Sequence, residues 1–203
     1  MVVIRSASAA DAAQIAAVMQ ASWRAAYEDI IAPEVIGRVT ASDGGARIRQ
    51  SFRTRPWQKT FVAVEAPASQ PAARRKRDAA DGIVGYAFFG PEQDVLGAPW
   101  PHPLSPEGEQ GQVAELYALY VHPAWWSTGT GRALMDRVLD TVTVAGYLSV
   151  RLWVLRDNFR ARRFYERAGF APDGASHTLN GLGGVTEVRY RRVLPAGPGR
   201  DVS

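Results

Sequence analysis

Residues Tyr117 to Leu134 read YALYVHPAWWSTGTGRAL, and the rest of the chain is organised around them. An apolar strand-like run, Leu116 to Val121, stops at His122-Pro123. A glycine-bearing turn, Trp126 to Gly131, follows, and helical periodicity sets in at Arg132. A strand feeding a glycine loop that opens a helix aims several backbone N–H groups, and the positive end of the helix dipole, at one point. That is an anion site, and phosphate is its usual occupant. Gly129 and Gly131 let the backbone approach an anion with no Cβ in the way. The blander alternative is an ordinary strand-to-helix turn with glycines for tight packing. A dinucleotide fingerprint fails on spacing, because Gly129-Thr130-Gly131-Arg132-Ala133-Leu134 has no third glycine where G-x-G-x-x-G needs one. A Walker loop fails because no Gly-Lys-Ser/Thr follows.

Composition narrows the setting. The chain has 203 residues, which points to one domain with a sizeable core. Apolar residues make up 46% and charged residues 22%, an ordinary soluble globular balance. The net charge is +4, and the 24 basic residues are nearly all arginines spread along the chain. This suits an anionic small ligand and falls short of the dense basic face of a dedicated nucleic-acid binder. With no cysteine, disulfides, thiolate metal sites and a cysteine nucleophile are all excluded, and a cytoplasmic location is the consistent reading. No apolar run approaches the roughly 20 residues needed to cross a bilayer, so no membrane span is expected. Asp11 and Gln14 interrupt the apolar N-terminus, and Ser8 with Asp11 forms a capping box, so residues 1–19 read as mature sequence rather than a signal peptide.

Taken in order, Val2 to Arg5 reads as a short strand. Ala12, Ile15, Ala16, Met19 and Trp23 recur at helical spacing, giving a helix from Ala9 to about Tyr27. Pro33 to Val39 and Ala46 to Phe52 read as short helices, Phe61 to Ala66 and Ile83 to Phe89 as strands. The stretch 67–82 is rich in Pro, Ala and Arg and reads as an exposed loop. A second irregular insertion, 90–111, carries five prolines and His102. Then come a strand Val113 to Val121, a helix Arg132 to about Val144, a strand Leu148 to Leu155 and a helix Phe159 to Ala168 stopped at Gly169. Phe170-Ala171 and Thr186 to Leu194 close the sheet, and 195–203 is a loose tail. The expectation is a single domain over 1–194, of α/β class: a mixed, largely antiparallel central sheet flanked by helices.

One more segment converges with the glycine loop: Asn158, Ala161, Phe164, Tyr165, Gly169 and Phe170 in NFRARRFYERAGF. With ELYALYVHP and Gly129, Thr130 and Gly131, it resembles the GNAT superfamily of acyl-CoA-dependent N-acetyltransferases. That family's signature is Arg/Gln-x-x-Gly-x-Gly/Ala opening a helix, followed by a strand and an N-x-x-A-x-x-F-Y-x-x-x-G-F helix. The resemblance is strongest over Val113 to Phe170, and element order extends it to about residues 2–194 without the two insertions. Trp126 stands where the family carries Gln or Arg. The family's role there is mainly backbone N–H donation, so the departure bears on affinity and side-chain contacts more than on the site.

The resemblance implies acetyl-CoA as cofactor and a small-molecule or peptide amine as acceptor, with no metal. The pyrophosphate would meet the backbone of Trp126, Ser127, Thr128, Gly129, Thr130, Gly131 and Arg132. The pantetheine arm would run along Leu119, Tyr120 and Val121, ending where the strands Val113–Val121 and Leu148–Leu155 splay apart. Asn158 and Phe164 would border it, Asn158 serving also as a helix N-cap. Tyr165 would protonate the departing thiolate, the alternative being a core aromatic. Glu115 is the best-placed carboxylate to take the proton of the amine, directly or through water, the alternative being a solvated strand-edge glutamate. Tyr27, Glu28 and Asp29, after the first helix, would border the acceptor.

Other residues carry two readings. His122 reads first as a turn residue, and His102 and His177 sit in loop-like sequence without a role. Arg160, Arg163 and Arg167 form a stripe that reads first as a solvated face and second as a phosphate contact. Arg74 to Arg77 reads as a soluble loop, with nucleic acid a remote partner. The leading function is acetyl transfer to a primary amine in a ternary complex. The alternative is a GNAT-like module that binds acyl-CoA and has lost transfer. A homodimer is compatible with either.

Overall fold

The computed structural model describes residues 1–41, 43–66, 82–92 and 113–195. The strands are β1 (Val2–Ser6), β2 (Lys59–Glu65), β3 (Ile83–Pro91), β4 (Val113–Val121), β5 (Ser149–Leu155), β6 (Ala171–Leu179) and β7 (Val185–Val193). The helices are α1 (Ala12–Ala26), α2 (Pro33–Val39), α3 (Ala46–Thr54), α4 (Thr130–Val144) and α5 (Phe159–Arg167). The strands form one sheet in the order β1-β2-β3-β4-β5-β7-β6. Only β4 and β5 run parallel; the other pairings are antiparallel. The sheet is therefore mixed, largely antiparallel and flanked by helices. Among the described residues, no helix is long and apolar enough to cross a membrane.

Two helices cover opposite faces of the sheet. On one, α4 buries Leu134, Met135, Val138, Leu139 and Val142 against Val84, Ala87, Phe89, Ala114 and Leu116. Each such side chain contributes about 1.5–3 kcal/mol by leaving water. On the other, α1 buries Ile15 and Val18 against Val62, Ile83, Tyr86 and Phe88. β3 sits between them, buried along eight of its nine residues. The entry to α1 is pinned from β1: Arg5 donates two hydrogen bonds to Asp11, of 2.8 and 2.9 Å, and Asp11 also accepts from the Ser8 backbone N–H at 2.8 Å.

The feature that makes the site is a gap. The β4–β5 ladder covers only Val113–Leu116 against Ser149–Leu152. At that level Tyr117 is skipped in the β3–β4 register, Phe88 facing Ala118 and Phe89 facing Leu116. Such a bulge increases twist and turns a strand away from its neighbour. β5 meanwhile stays paired with β7 as far as Leu155 opposite Glu187. Beyond Leu116 the two parallel strands splay.

Several boundaries differ from the sequence reading. α4 begins at Thr130, so Thr130 and Gly131 belong to its first turn. Gly90 and Pro91 are strand residues, opposite Glu115 and Ala114, rather than the start of an insertion. The largest difference is β6, nine residues where two were expected. It is an edge strand with an irregular register between Pro172 and Ser176, so proline and glycine are tolerated and its exposed residues show no apolar alternation. His177 therefore lies on a strand, not in a loop. The readings placed on Arg74–Arg77, on His102, on 67–81, on 93–112 and on 196–203 lie outside the described residues.

Candidate active site at the splayed strands

The chain leaves β4 at Val121 and is turned by His122, whose N–H donates to the Val84 carbonyl at 2.8 Å and whose Nδ1 accepts from the Ala124 N–H at 3.3 Å. After a single tight turn, Pro123–Trp125, the backbone reverses through Ser127 at φ +62° and Gly129 at φ +89°. A non-glycine residue at positive φ is uncommon, and alternation of this kind curls N–H groups into an anion-sized concavity. Gly129 is the N-cap of α4, and its left-handed backbone explains the glycine; a Cβ there would meet nothing within 4 Å. Gly131 has a different reason. A Cβ there would lie 3.4 Å from the Phe164 ring, so anything larger must project into the space in front of the helix.

The N–H groups of Thr130, Gly131 and Arg132 are the first of α4 and have no intrahelical acceptor. No acidic residue occupies that first turn to offset the helix dipole. Thr128 and Thr130 share a hydroxyl contact of 2.9 Å, and Thr128 also donates to the Trp125 carbonyl at 2.8 Å, which braces the loop.

Trp126 is tied down rather than free. Its indole N–H donates to the Val121 carbonyl at 2.8 Å, and the guanidinium of Arg160 lies over its ring at 4.2 Å. Arg160 also donates to Ser127 Oγ at 3.3 Å. A cation thus reaches the loop from α5, held against the aromatic face of Trp126.

α5 is set by its own sequence. Asn158 caps it, Oδ1 accepting from the Ala161 N–H at 3.0 Å. Gly169, at φ +83°, ends it, with the Gly169 N–H bonded to the Glu166 carbonyl and the Phe170 N–H to the Tyr165 carbonyl, both at 3.0 Å. Phe170 then packs edge-on against Tyr165, with centroids 6.1 Å apart. Tyr165 is held by this packing and lines the cleft at the gap.

A cleft of about 680 Å³ runs through the splay. Of the residues expected at the site, Tyr27, Leu119, Tyr120, Val121, Trp126, Ser127, Gly129, Gly131, Arg132, Asn158, Phe164 and Tyr165 all line it. Thr128 in the loop and Thr130 in the first turn of α4 do not line the cleft. Glu115 is buried on the part of β4 still paired with β5, opposite Arg151, and does not line it either. Glu28 and Asp29 are exposed beyond α1 and lie outside the lining.

The structure adds residues that the sequence reading did not place. Ser22, Trp153, Leu155 and Glu187 line the cleft, as do all three arginines of the α5 stripe, Arg160, Arg163 and Arg167. The stripe had been noted; the signal for its orientation was its offset from Phe164 and Tyr165 on one helix. Glu187 had only the signal of an acidic residue in an alternating strand. Ser22, buried, donates to the Val121 carbonyl at 2.8 Å. The Tyr27 and Tyr120 hydroxyls are 3.2 Å apart.

Burial above all pushes the Tyr165 phenol well above its ordinary range, and the charges of Tyr120 and Glu187 add to it. Tyr27 is raised for the same first reason, then by Tyr120, Tyr165 and Glu187. Tyr120 is also raised, burial outweighing its hydrogen bonds to Tyr27 and Trp23. All three phenols keep their protons at neutral pH.

The cleft thus lies in a mixed sheet opened between its two parallel strands, lined by a helix N-terminus, basic side chains and three phenols. Residues 25–170 match the model of the acetyltransferase (GNAT) family, and the chain belongs to that family. An uncharacterized N-acetyltransferase of Mycobacterium tuberculosis (strain ATCC 25618 / H37Rv) is 32% identical over 168 residues, covering 81% of this chain and 85% of that protein. A mycothiol acetyltransferase of Beutenbergia cavernae is 47% identical, but over 60 residues only, 30% of this chain and 20% of the relative. Among solved structures, yncA of Salmonella typhimurium, determined with its cofactor acetyl-CoA, superposes with a TM-score of 0.65 at 19% identity, over 100% of this chain and 99% of the other.

Proposed function

We propose that the protein transfers the acetyl group of acetyl-CoA to a primary amine, on a small molecule or a peptide, by direct attack with both substrates bound. The observation that carries this reading is the single cleft joining the N-terminus of α4 to the Tyr165 hydroxyl through the gap between β4 and β5. The residues present suit the donor. The first-turn N–H groups of α4, the Ser127–Gly129 curl and Arg160 favour a pyrophosphate, and the side of β4 that β5 leaves open beyond Leu116 gives a pantetheine arm a strand edge to follow. Acetyl-CoA supplies the activated thioester; the remaining chemistry is proton transfer, which the protein's side chains provide.

Tyr165 keeps its proton at any working pH and can give it to the departing sulfur. The amine must lose a proton to attack, and a carboxylate is the natural acceptor. Glu115 keeps that role only at one remove, through water, since it does not line the cleft; we favour Glu187, which does. With no cysteine in the chain and no G-x-S-x-G elbow, a covalent acyl-enzyme has no evident carrier. The alternative, a module that binds acyl-CoA without transfer, rested on Trp126, and Arg160 supplies the cation missing there.

The test is thiol release from acetyl-CoA with a panel of polyamines, aminoglycosides and peptides. Turnover on at least one amine, with intersecting initial-rate patterns, supports transfer in a ternary complex. Tight acetyl-CoA binding with no turnover on any acceptor supports the binding module, and an acetylated enzyme trapped without acceptor would exclude direct attack.

A further inference from the structure

The charges lining the cleft are divided. Four arginines, 132, 160, 163 and 167, stand on α4 and α5, at the donor mouth; among the described residues that line the cleft, Glu187 is the only acidic one, and it comes from β7 on the opposite side. Glu187 pairs directly across from Leu155 on one flank and from His177 on the other, so all three side chains share the face that α1 and α2 cover. Its surroundings are aromatic: Tyr27, Tyr120 and Trp153 line the same end. Of the other charged groups on this face, Arg191 lies farther along β7, opposite Arg151, and two more are paired. Arg189 is bonded to Asp173 at 2.7 Å and lies over the Trp153 ring at 5.6 Å, and Arg151 is paired with Glu92.

We propose that Glu187, positioned by His177, is the anchor for the acceptor: it receives the acceptor's reactive nitrogen as an ammonium group among Tyr27, Tyr120 and Trp153, and then takes a proton from it. This rests on the acetyl-transfer reading above and names the class of acceptor, a cationic primary amine. A carboxylate close to the phenols of Tyr27 and Tyr120, in a cleft that Trp153 also lines, is the chemistry that holds an ammonium group, because aromatic rings and charge act together in a partly dried site. The charge division keeps the two substrates apart, with phosphates drawn to the arginines and the ammonium group to the glutamate.

His177 acts through Glu187. Its Nε2 lies 3.4 Å from Glu187 Oε2, and its ring is edge-on to Trp153 with centroids 4.3 Å apart. Its Nδ1 is buried with no hydrogen-bond partner among the described residues. A buried acceptor lone pair is cheaper to leave unpaired than a buried N–H, so the tautomer that fits carries its hydrogen on Nε2 and donates toward Glu187. His177 thereby fixes the carboxylate, and Trp153 fixes His177.

The protons balance. One ammonium proton passes to Glu187 and leaves to solvent, freeing the nitrogen lone pair. As the N–C bond forms and the C–S bond breaks, sulfur takes the Tyr165 proton, and the second proton lost by nitrogen restores the phenol. The titratable and charged groups that face Glu187 are Tyr27 from the end of α1, Tyr120 from β4, Tyr165 from α5, His177 from β6, and Arg189, Asp173, Arg151 and Arg191 on the same face.

The test has a binding arm and a kinetic arm. Spermidine, kanamycin and a short peptide with a free amino terminus are titrated by calorimetry into CoA-saturated wild type, Glu187→Gln and His177→Gln. For the probe bound tightest, Glu187→Gln is expected to weaken binding about tenfold or more while CoA affinity stays within twofold, which also shows that the variant is folded. The N-trimethylated form of that probe should compete in wild type and not in Glu187→Gln. Where the wild type turns the amine over, Glu187→Gln should lower kcat/KM about 100-fold and remove the acidic limb of its pH profile. His177→Gln, which keeps a donor, should raise acceptor KM more than it lowers kcat, and His177→Ala should do both. Equal amine binding by wild type and Glu187→Gln, or no binding of any amine by wild type, overturns the proposal. Glu187-dependent binding without turnover would leave it standing and count instead against acetyl transfer.

Discussion

The two ends of the cleft are built from different material. The end we assign to the donor is mostly backbone: the side of β4 that β5 leaves open beyond Leu116, the curled loop from Ser127 to Gly129 and the first turn of α4, all within one continuous run of the chain. The end we assign to the acceptor is side chain, gathered from Tyr27 at the end of α1, Tyr120 on β4, Trp153 on β5 and Glu187 on β7. Backbone geometry is imposed locally by glycine and by helix initiation, so many side chains tolerate change there. A site assembled from four distant segments depends on each residue and on the register of the sheet.

The sharpest way to break this comparison is to fill the donor end. Gly131→Trp adds bulk that cannot turn toward Phe164, whose ring would already touch the new Cβ at 3.4 Å, and so it projects into the space in front of α4. Acetyl-CoA affinity should fall by more than about 100-fold with the far-ultraviolet circular dichroism unchanged; Gly131→Ala, which fits, should cost much less. Unchanged affinity in the tryptophan variant would refute the assignment of the phosphate site. Next in size is Tyr165→Phe, which keeps the packing on Phe170 and loses only the hydroxyl. Its kcat should fall about 100-fold with little change in acetyl-CoA KM. Because burial raises this phenol, the wild type should show no alkaline loss of kcat through the ordinary tyrosine range near pH 10. A loss there would place the acid elsewhere.

The donor end was legible in the sequence for the same reason that it is robust. YVHPAWWSTGTGRAL holds strand, reversal and helix start in one window, and NFRARRFYERAGF holds cap, phenol and stop signal in another. The β4–β5 gap was expected from the resemblance, and the bulge at Tyr117 now gives it a physical cause. The acceptor end was mostly hidden. Of the acceptor-side residues read from the sequence, Tyr27 lines the cleft and the exposed Glu28 and Asp29 do not; a carboxylate close in sequence was visible, and Glu187, brought to the cleft by β7, was not. Finding Glu187 requires the pairing of β5 with β7 and of β6 with β7, and β6 was the strand whose polar, proline- and glycine-bearing sequence gave no period to read. His177 went with it.

A smaller effect sharpens the one place where the donor end does rely on a side chain. Arg160→Ala removes the guanidinium over Trp126 and its bond to Ser127, and should weaken acetyl-CoA about 5- to 20-fold, more at low salt than at high. Trp126→Arg in that background returns a cation to the loop itself and should recover part of the loss. If Arg160→Ala leaves affinity unchanged at low salt, backbone alone holds the phosphates.

The smallest expected effect on activity comes from the frame that carries Tyr27 to the acceptor end. α1 is anchored at its start by Asp11, which takes two hydrogen bonds from Arg5 and one from the Ser8 N–H. Arg5, the largest cause, holds the Asp11 carboxyl down to about 2. The sign follows: the folded state binds this proton less readily than the unfolded chain, so the contribution is complete above the ordinary carboxylate range near ~4 and is lost as pH falls toward 2. Arg5 is half exposed, which screens the pair, so Asp11→Asn should cost about 1–2 kcal/mol at pH 7 in urea unfolding, shrinking toward zero near pH 2. Because Ser22 and Tyr27 are also held from the far end of α1, by the Val121 carbonyl and the Tyr120 hydroxyl, acceptor KM should change less than about twofold. A large KM change with small loss of stability would mean that the acceptor end is positioned through the start of α1, and that its side chains are less independently anchored than their separate contacts imply.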